Sequence, residues 1–310
     1  MSSPRLLTTR QMAHFAAEGY LRFDALVPEE LNQAFLEEIG HSDGIADVRE
    51  HYRQIMSSSV IPVVPAGTPL AQAYPSESAI GRILDLPAVA GVLQSLVGRQ
   101  GVFDHHFLHI TFPPALTGRP LPAQHTHQDS TIDVRRAFDV QLMYFPTEVT
   151  AEMGGTRFVP GTHLRIVSEA AIARYQNILG QQHVVCPAGT VLFLHHGIWH
   201  GGGANRSDRV RYMFKIRISP GERQCRLWDT SDLNEEEAQQ PIFWLGGPRD
   251  PDHVHTILTE PQPWHEDDTG RLEFVNRIRF WRYLTGNEDF DAGYWLGRLE
   301  NDFPEEGRTG

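Results

Sequence analysis

The spacing of hydrophobic residues changes along the chain, from helical periodicity before residue 100 to a period of two after it. In the first part, TTRQMAHFAAEGYLRFDALVPEELNQAFLEEIG predicts a helix, a strand and a second helix. Thr8 or Thr9 can cap the first helix, and Gly19 can end it. Pro28 suits the first turn of the second helix, which Gly40 closes. LDLPAVAGVLQSLVG predicts a further helix.

The segment between these helices, residues 41–76, is polar and rich in proline, with weak periodicity. We expect a long loop there with one helix around Val48 to Met56. Loops of this length in a compact domain often cover a binding site.

From Gly101 onward the chain is a series of short alternating runs separated by Pro and Gly turns. The predicted strands are VFDHHFLHITF, QHTHQDS, AFDVQLMYF, GTRFVP, TVLFLHH and RVRYMFKIRI, with one helical interruption at SEAAIARYQNIL. Many consecutive strands with helices mainly outside the run are typical of an antiparallel barrel or sandwich.

The remainder of the chain is aromatic and irregular until RLEFVNRIRFWRYLTG, where an apolar stripe predicts a helix that packs on another surface. We therefore expect a single domain over residues 1–310. Its N-terminal helices lie in 1–100 and its β core in about 101–220. The aromatic-rich segment 221–310 is expected to dock on that core.

Composition excludes several classes of function. No apolar run approaches the roughly 20 residues that cross a bilayer, and MSSPRLLTTRQMAHF lacks the apolar core of a signal peptide, so we expect no membrane and a cytoplasmic location. Cys186 and Cys225 give no disulfide framework, which suits a reducing compartment. A net charge of −12 argues against nucleic acid as a partner. Of the 27 basic residues, only Lys215 is a lysine.

The stretch QHTHQDS places His125, His127 and Asp129 at every second position, so in a strand they share one face. A His-x-Asp strand can supply two of the three ligands of a 2-His-1-carboxylate site for non-haem iron(II). Two specified residues recur by chance in a chain with 16 histidines, so the motif alone is weak. The third ligand must come from elsewhere.

Three histidines compete for the third position in GTVLFLHHGIWHGGGANRSDRVRYMFKIRI, which reads as a strand, a glycine-rich turn and a second strand: His195, His196 and His200. The glycines after His200 would leave room for a metal. His195 and His200 are each followed 11 positions later by an arginine, Arg206 and Arg211 respectively. Because Arg206 lies in the turn NRSD, where it would point to solvent, the sequence favours His200 with Arg211.

An arginine at this place has a chemical reason. A 2-oxoglutarate cosubstrate binds iron through its C1 carboxylate and keto oxygen, which leaves its C5 carboxylate in need of a charged partner. The guanidinium fork fits a carboxylate bidentately, and Arg211, in the next strand, could reach across the hairpin. Alternatively, Arg211 pairs with a carboxylate of the protein.

HQD, GGTRFVPGTH and WHGGGANRSDRVRY, in this order after the opening QMAHFAAEGYLRF, resemble the phytanoyl-CoA dioxygenase family of iron(II)/2-oxoglutarate oxygenases over about residues 8–218. The resemblance implies a mainly β fold with flanking helices, a double-stranded β-helix, that is, a jelly-roll, cupin-like barrel. It also implies that His127, Asp129 and His200 bind iron and that Arg211 binds 2-oxoglutarate.

The sequence departs from the family pattern at one place. Members often carry a hydroxyl residue two positions after the distal histidine to assist the C5 carboxylate, and here that residue is Gly202. Thr111 and Gln141, on neighbouring predicted strands, are therefore our candidates for additional cosubstrate contacts.

His125, on the same face of the predicted strand, is expected near the metal or the substrate without binding the metal. A rival assignment gives the metal to His125 and His127 in place of Asp129. The carboxylate of Asp129 occupies the place that related halogenases leave vacant for chloride, so halogenation is not expected.

The expected activity is that of a dioxygenase that consumes O2 and 2-oxoglutarate, releases succinate and CO2, and hydroxylates an unactivated C–H of a small natural-product or lipid-like molecule. Phytanoyl-CoA itself is disfavoured, because no lysine-rich patch is present to bind the CoA phosphates. Two alternatives stay open. A cupin-type metal enzyme without 2-oxoglutarate would leave Arg211 unexplained, and a non-catalytic binding barrel would have lost a ligand, whereas here none is missing.

Overall fold

The computed structural model of the protein describes residues 3–42, 44–58, 60–129, 139–164, 172, 177–222 and 227–232. The helices in these ranges are α1 (Thr9–Glu18), α2 (Glu29–Glu38), α3 (Val48–Met56), α4 (Leu70–Ala73), α5 (Ala79–Leu84), α6 (Pro87–Val97) and α7 (Pro114–Thr117). The strands are β1 (Tyr20–Phe23), β2 (Gly101–Thr111), β3 (Val140–Phe145), β4 (Thr156–Val159), β5 (Gln182–His183), β6 (Thr190–His195), β7 (Trp199–Gly202) and β8 (Arg211–Pro220).

The N-terminal helices begin and end largely where their capping residues predict. The Thr8 side chain caps α1 by accepting a hydrogen bond from the Gln11 amide, and Gly19 ends the helix in a left-handed conformation at φ 77°. Pro28 is the N-cap of α2 rather than part of its first turn. The helix expected around Val48 to Met56 is α3.

The strands form two antiparallel sheets. The larger sheet has five strands in the order β1-β6-β3-β8-β2, and the smaller has three in the order β5-β4-β7. The register of the larger sheet sets Thr111 opposite Arg211 and Gln141 opposite Arg217. Because alternate residues share a face, Arg211, Lys215 and Arg217 all lie on one side of β8.

Each face of the larger sheet has its own hydrophobic core. On the outer face, Tyr144 of β3 and Phe214 of β8 pack against Phe35 of α2. Between the sheets, Met143 and Phe145 of β3 pack in a cluster with Phe158 of β4. The fold is therefore a helix-flanked jelly roll whose two sheets, in the part of the chain that the structure describes, form an open sandwich and not a closed barrel.

Three sequence predictions, two around the glycine-rich segment and one for QHTHQDS, are wrong. Trp199–Gly202 is the strand β7 of the smaller sheet, although its glycines predicted a turn. Since β8 belongs to the larger sheet, Arg211 does not face His200 across a hairpin but across the space between the two sheets. The described part of QHTHQDS, residues 124–129, forms a single bridge at His127 and not a full strand.

Two predicted helices cannot be compared with the structure. Most of SEAAIARYQNIL and all of RLEFVNRIRFWRYLTG lie outside the described residues, and so does nearly all of the segment 221–310 whose docking we predict. Among the residues that are described, no helix combines the length and apolarity required to cross a membrane.

Candidate metal centre

His127 and His200 lie side by side at the edge of the smaller sheet. The segment before Asp129 runs antiparallel to β7, with the His127 amide donating to the His200 carbonyl at 2.9 Å and the His200 amide donating back at 2.8 Å. This pairing brings the two ring centroids to 4.5 Å. The ligand atoms of His127, Asp129 and His200 all lie within 4.8 Å of one another.

Backbone carbonyls orient both imidazole rings in the same way. Nδ1 of His127 lies 2.8 Å from the carbonyl oxygen of His125, and Nδ1 of His200 lies 3.0 Å from that of Ile198. A ring nitrogen that faces a carbonyl must carry the proton, which leaves Nε2 as the nitrogen with a lone pair. When its ring is neutral, each histidine therefore presents a bare Nε2 towards Asp129, whereas a protonated His127 donates from Nε2 to that carboxylate.

The two oxygens of Asp129 have different partners. Oδ1 lies 3.3 Å from Nε2 of His127 and 3.7 Å from Nε2 of His200, whereas Oδ2 lies 2.7 Å from Nζ of Lys215. Burial opposes the charged carboxylate, but His200, His127 and Lys215 outweigh it and hold the pKa of Asp129 far below its ordinary value. The carboxylate is thus ionised and directs one oxygen at the two imidazoles.

The protonation states of the histidines follow from their surroundings. Burial lowers the pKa of His200 to about 4, so its ring is neutral at pH 7. Burial also lowers that of His127, but the hydrogen bond to Asp129 outweighs it and the pKa of His127 is raised. Two imidazole nitrogens and one carboxylate oxygen that converge in this way fit a 2-His-1-carboxylate metal site.

The spacing of His125 predicts a side chain near the metal or the substrate, and the structure differs. Its side chain is exposed, while its carbonyl oxygen orients His127. The ligand cluster in the described part of the chain contains Asp129 and not His125.

Arg211 lies buried at one end of the space between the sheets. Its guanidinium donates to the carbonyl oxygen of Met153 at 2.9 Å and to Oγ1 of Thr111 at 2.9 Å. Burial lowers the pKa of Arg211 to about 10, so it remains charged at neutral pH. No described carboxylate pairs with Arg211, and the predicted combination of Arg211 with Thr111 comes together here.

The glycines beside Arg211 differ in how closely they are packed. A Cβ on Gly203 would lie 2.6 Å from the carbonyl oxygen of Gly154, so the backbones approach too closely for any other residue. A Cβ on Gly202 would lie 3.7 Å from Nη2 of Arg211 and 3.5 Å from Oε1 of Gln124, which are ordinary contacts. There is space at Gly202 for the hydroxyl residue that the family often carries.

Gln141 is not brought to Arg211. It lies opposite Arg217, six positions further along β8, which at about 3.3 Å per residue is roughly 20 Å away. Its side-chain amide is fully buried, and neither the nitrogen nor the oxygen has a hydrogen-bond partner among the described residues. An unsatisfied buried amide costs about 1–3 kcal/mol for each group, so the Gln141 amide has hydrogen-bonding capacity that the described residues do not use.

A narrow cleft joins the metal ligands to Arg211. Its lining residues are His109, Gln124, His127, Met143, Thr156, His200, Gly201, Gly202, Arg211, Met213 and Lys215. The sequence analysis gave no role to Gln124, His109 and Thr156, although Gln124 lies in QHTHQDS and Thr156 in GGTRFVPGTH. Lys215 had a signal, as the single lysine of the chain on the same face of β8 as Arg211.

The competing histidines lie elsewhere. The buried His195 contacts the rings of Phe15 and His163, and His196 stacks on His195 at a centroid distance of 4.7 Å. Neither belongs to the ligand cluster of the described residues, which leaves His200 as the histidine that completes it.

Known proteins resemble this chain in part. Dioxygenase trt7 of Aspergillus terreus (strain NIH 2624 / FGSC A1156) is 36% identical over 107 residues, which cover 32% of this chain and 36% of that protein. Dioxygenase andF of Emericella variicolor is 33% identical over 117 residues, covering 38% of this chain and 34% of that protein. The chain therefore spans about a third of the length of these curated relatives.

Two solved structures are also similar. HygX from Streptomyces hygroscopicus with nickel and 2-oxoglutarate bound has 14% sequence identity and a TM-score of 0.49, covering 69% of this chain and 87% of that one. The α-ketoglutarate-dependent epimerase SnoN from nogalamycin biosynthesis has 17% identity and a TM-score of 0.48, covering 68% of this chain and 81% of that one.

The family model of phytanoyl-CoA dioxygenase (PhyH) matches residues 15–213, which is more than half of the chain. This match confirms the resemblance that the HQD, GGTRFVPGTH and WHGGGANRSDRVRY motifs predict. The protein belongs to the phytanoyl-CoA dioxygenase family.

Proposed function

We propose that the protein is an iron(II)/2-oxoglutarate-dependent dioxygenase in which Nε2 of His127, Oδ1 of Asp129 and Nε2 of His200 hold the metal. The observation that carries the proposal is the convergence of these three atoms within 4.8 Å, in a cleft that also contains a buried arginine without a carboxylate partner among the described residues. When bound, the metal and 2-oxoglutarate supply oxidation by O2, with release of succinate and CO2.

Arg211 binds the C5 carboxylate of the cosubstrate in this proposal. Its side chain is fixed by the Met153 carbonyl and by Thr111, so the guanidinium is positioned before the cosubstrate arrives. The Thr111 hydroxyl, which accepts from Arg211, keeps its own proton for the carboxylate. Pre-positioned donors lower the entropic cost of binding.

Gln141 was expected from the sequence to contact the C5 carboxylate, but its position in the sheet indicates a different role. It is too far from Arg211 to share the C5 carboxylate. Lys215, which contacts the ligand Asp129, lies in the same sheet diagonally across from Gln141. We place the unsatisfied amide of Gln141 near the metal end of the cosubstrate or a water bound there.

The substrate in this proposal is a small apolar molecule, and hydroxylation of an unactivated C–H is the expected outcome. Phe107 lies opposite Lys215 in the β2–β8 register, and 53% of the residue is exposed. An exposed aromatic ring beside the proposed metal site supports an apolar substrate. The net charge of −12 disfavours nucleic acid as a partner, and the two cysteines suit a cytoplasmic location.

Succinate formation tests this function. The protein is incubated with iron(II), 2-oxoglutarate and O2, and succinate is measured for the wild type, Asp129→Ala and Arg211→Ala. We expect slow, metal-dependent succinate release by the wild type, none by Asp129→Ala, and release by Arg211→Ala only at much higher 2-oxoglutarate concentration. Release by Asp129→Ala at the wild-type rate would refute the ligand set, and metal binding without any consumption of 2-oxoglutarate would favour a cupin-type enzyme instead.

A further inference from the structure

Lys215 stands out as the single lysine in a chain with 26 arginines, and it contacts the carboxylate of the candidate metal ligand Asp129. Its side chain is 7% exposed, and Nζ lies 2.7 Å from Oδ2. Asp129 is the only hydrogen-bond acceptor that the described residues offer to this ammonium. A buried ion pair of this kind ties the position of one group to that of the other.

The surroundings of Lys215 leave the ammonium little freedom. Across the strands it is flanked by Phe107 on β2 and Met143 on β3, neither of which offers a strong acceptor. Nζ lies 5.4 Å from the centre of the Phe107 ring, within the range of a cation–π contact. The ammonium is thus held on Oδ2, and Oδ1 is the oxygen left to face the two imidazoles.

An arginine at the same place would act differently. Its planar fork donates to both oxygens of a carboxylate at once, whereas the lysine ammonium is a compact charge that suits one oxygen. Arg217, two positions along β8, is an example of an arginine on a carboxylate, with Nε 2.6 Å from Oδ2 of Asp139. A fork on Asp129 would compete with a metal for Oδ1.

We propose that Lys215 is a positioning residue that restricts Asp129 to one-oxygen binding of the metal, so that a coordination position stays open for the cosubstrate or O2. This inference rests on the proposed function, because it assumes the metal at His127, Asp129 and His200. It explains why the one lysine of an arginine-rich chain lines the cleft in contact with Asp129.

Two variants at the same position separate the contributions of charge and shape. Lys215→Arg keeps the charge and gives Asp129 a two-oxygen partner, so metal affinity is expected to fall about 10- to 100-fold, as for the loss of other groups that orient ligands. Lys215→Met removes the charge and frees Oδ2, so metal binding persists and the carboxylate binds through both oxygens. The affinity for 2-oxoglutarate then falls, because one metal position is taken.

The measurement uses cobalt(II) alone, titrated anaerobically into the apo form of the full chain and followed by its visible absorption spectrum. A higher coordination number weakens the cobalt d–d bands, so Lys215→Met is expected to give a weaker spectrum than the wild type at full occupancy. The affinity of the cobalt-loaded protein for 2-oxoglutarate is then measured by calorimetry. Neither readout depends on turnover.

Arg209, two residues before β8, supplies a control with the same kind of ion pair outside the cleft. It is half exposed and pairs with Glu148 at 3.3 Å, away from the cleft. Arg209→Lys and Arg209→Met are expected to keep the wild-type cobalt spectrum and affinity. If Lys215→Arg does not fold, the cobalt spectrum and cosubstrate affinity of Lys215→Met decide the matter.

The outcomes separate the positioning role of Lys215 from the proposed function on which it rests. If the wild type binds cobalt and Asp129→Ala does not, and each Lys215 variant that folds behaves as expected, the positioning role is supported. Wild-type cobalt affinity in Lys215→Arg, or a wild-type spectrum with wild-type cosubstrate affinity in Lys215→Met, would overturn that role alone. A wild type that binds no cobalt at this cluster would overturn the proposed function as well.

Discussion

Two clusters of histidines lie in this fold, and they differ in which ring nitrogen is available. In the metal cluster (His127, Asp129, His200), Nδ1 of each histidine faces a backbone carbonyl, and the Nε2 atoms converge on one carboxylate oxygen. In the packing cluster (His163, His195, His196), the rings lie against each other at 4.8 and 4.7 Å between centroids. No carboxylate joins the packing cluster to make a ligand group in the described residues.

The two clusters carry the ring proton on different nitrogens. In the metal cluster Nδ1 donates to a backbone carbonyl, whereas in the packing cluster the hydrogen bonds of His195 and His163 place the proton on Nε2. Nδ1 of His195 accepts from the Gly197 amide at 3.0 Å, so this nitrogen is the bare one and Nε2 carries the proton. Nε2 of His163 lies 3.0 Å from the Ala16 carbonyl and donates to it. Histidines close in sequence thus become ligands or packing groups according to the backbone group that each ring meets.

Removing one residue from each cluster gives the largest expected contrast. His200→Ala deletes a ligand, so metal affinity should fall by at least the roughly 100-fold known for weaker, outer-shell changes. His195→Ala deletes a buried ring, so the free energy of unfolding should fall by about 2–4 kcal/mol while metal affinity stays at the wild-type value. Cobalt titration and chemical denaturation measure the two quantities. Equal loss of metal in both variants would contradict the division.

The second contrast is between the two ends of the cleft. Arg211→Ala removes a charge-assisted partner of the cosubstrate, which at about 1.5–3 kcal/mol corresponds to roughly a 10- to 150-fold weaker binding of 2-oxoglutarate. The proposed metal site lies at the other end of the cleft, so metal affinity should not change. Calorimetry on the metal-loaded variant measures both, with Arg211→Lys as the variant that keeps the charge but loses the fork. A cosubstrate affinity unaffected by Arg211→Ala would place the C5 carboxylate elsewhere.

The adjacent glycines give a smaller contrast. Gly203→Ala forces a Cβ to 2.6 Å from the Gly154 carbonyl, so we expect a loss of about 1–3 kcal/mol in the free energy of unfolding. Gly202→Ser meets only ordinary contacts and puts a hydroxyl near Arg211, so it should fold normally. Its 2-oxoglutarate affinity should rise by up to about tenfold, the value of one added hydrogen bond. A destabilised Gly202→Ser would show that the space beside Arg211 is already used.

The smallest expected effect concerns Thr111. Thr111→Val keeps the shape of the side chain but removes the hydroxyl that accepts from Arg211 at 2.9 Å. Cosubstrate affinity should fall by roughly 3- to 10-fold, which corresponds to one neutral hydrogen bond. Thr117→Val is the control, because the Thr117 hydroxyl bonds only to backbone carbonyls near α7 among the described residues. An unchanged affinity in Thr111→Val would limit the role of Thr111 to contact with the arginine.

The alternating runs predicted the long strands well. β3 and β6 lie within the segments whose period of two indicated them, and β2 and β8 match theirs with ends shifted by one or two residues, because burial on one or both faces leaves a direct mark on the sequence. β7 was missed because its glycines have low strand propensity. β7 is a strand because it pairs with β4, with Val159 opposite Trp199 and Thr156 opposite Gly202. No local sequence pattern encodes this pairing.

Sequence order also predicted the members of the metal cluster but not the contacts around them. His127 and Asp129 are two residues apart, so their joint placement is local. The contact of Lys215 with Asp129 forms only when the two sheets pack, and so does the separation of Gln141 from Arg211 along β8. Contacts of this kind depend on sheet order and register, which were not fixed by periodicity.

The central claim, a metal held by His127, Asp129 and His200 that takes 2-oxoglutarate directed by Arg211, is tested most directly by anaerobic titration. Iron(II) and then 2-oxoglutarate are added to the apo-protein while the weak visible charge-transfer band of the chelate is recorded. The account predicts a band in the wild type that is absent in Asp129→Ala and needs much more cosubstrate in Arg211→Ala. Iron binding without any band would contradict it.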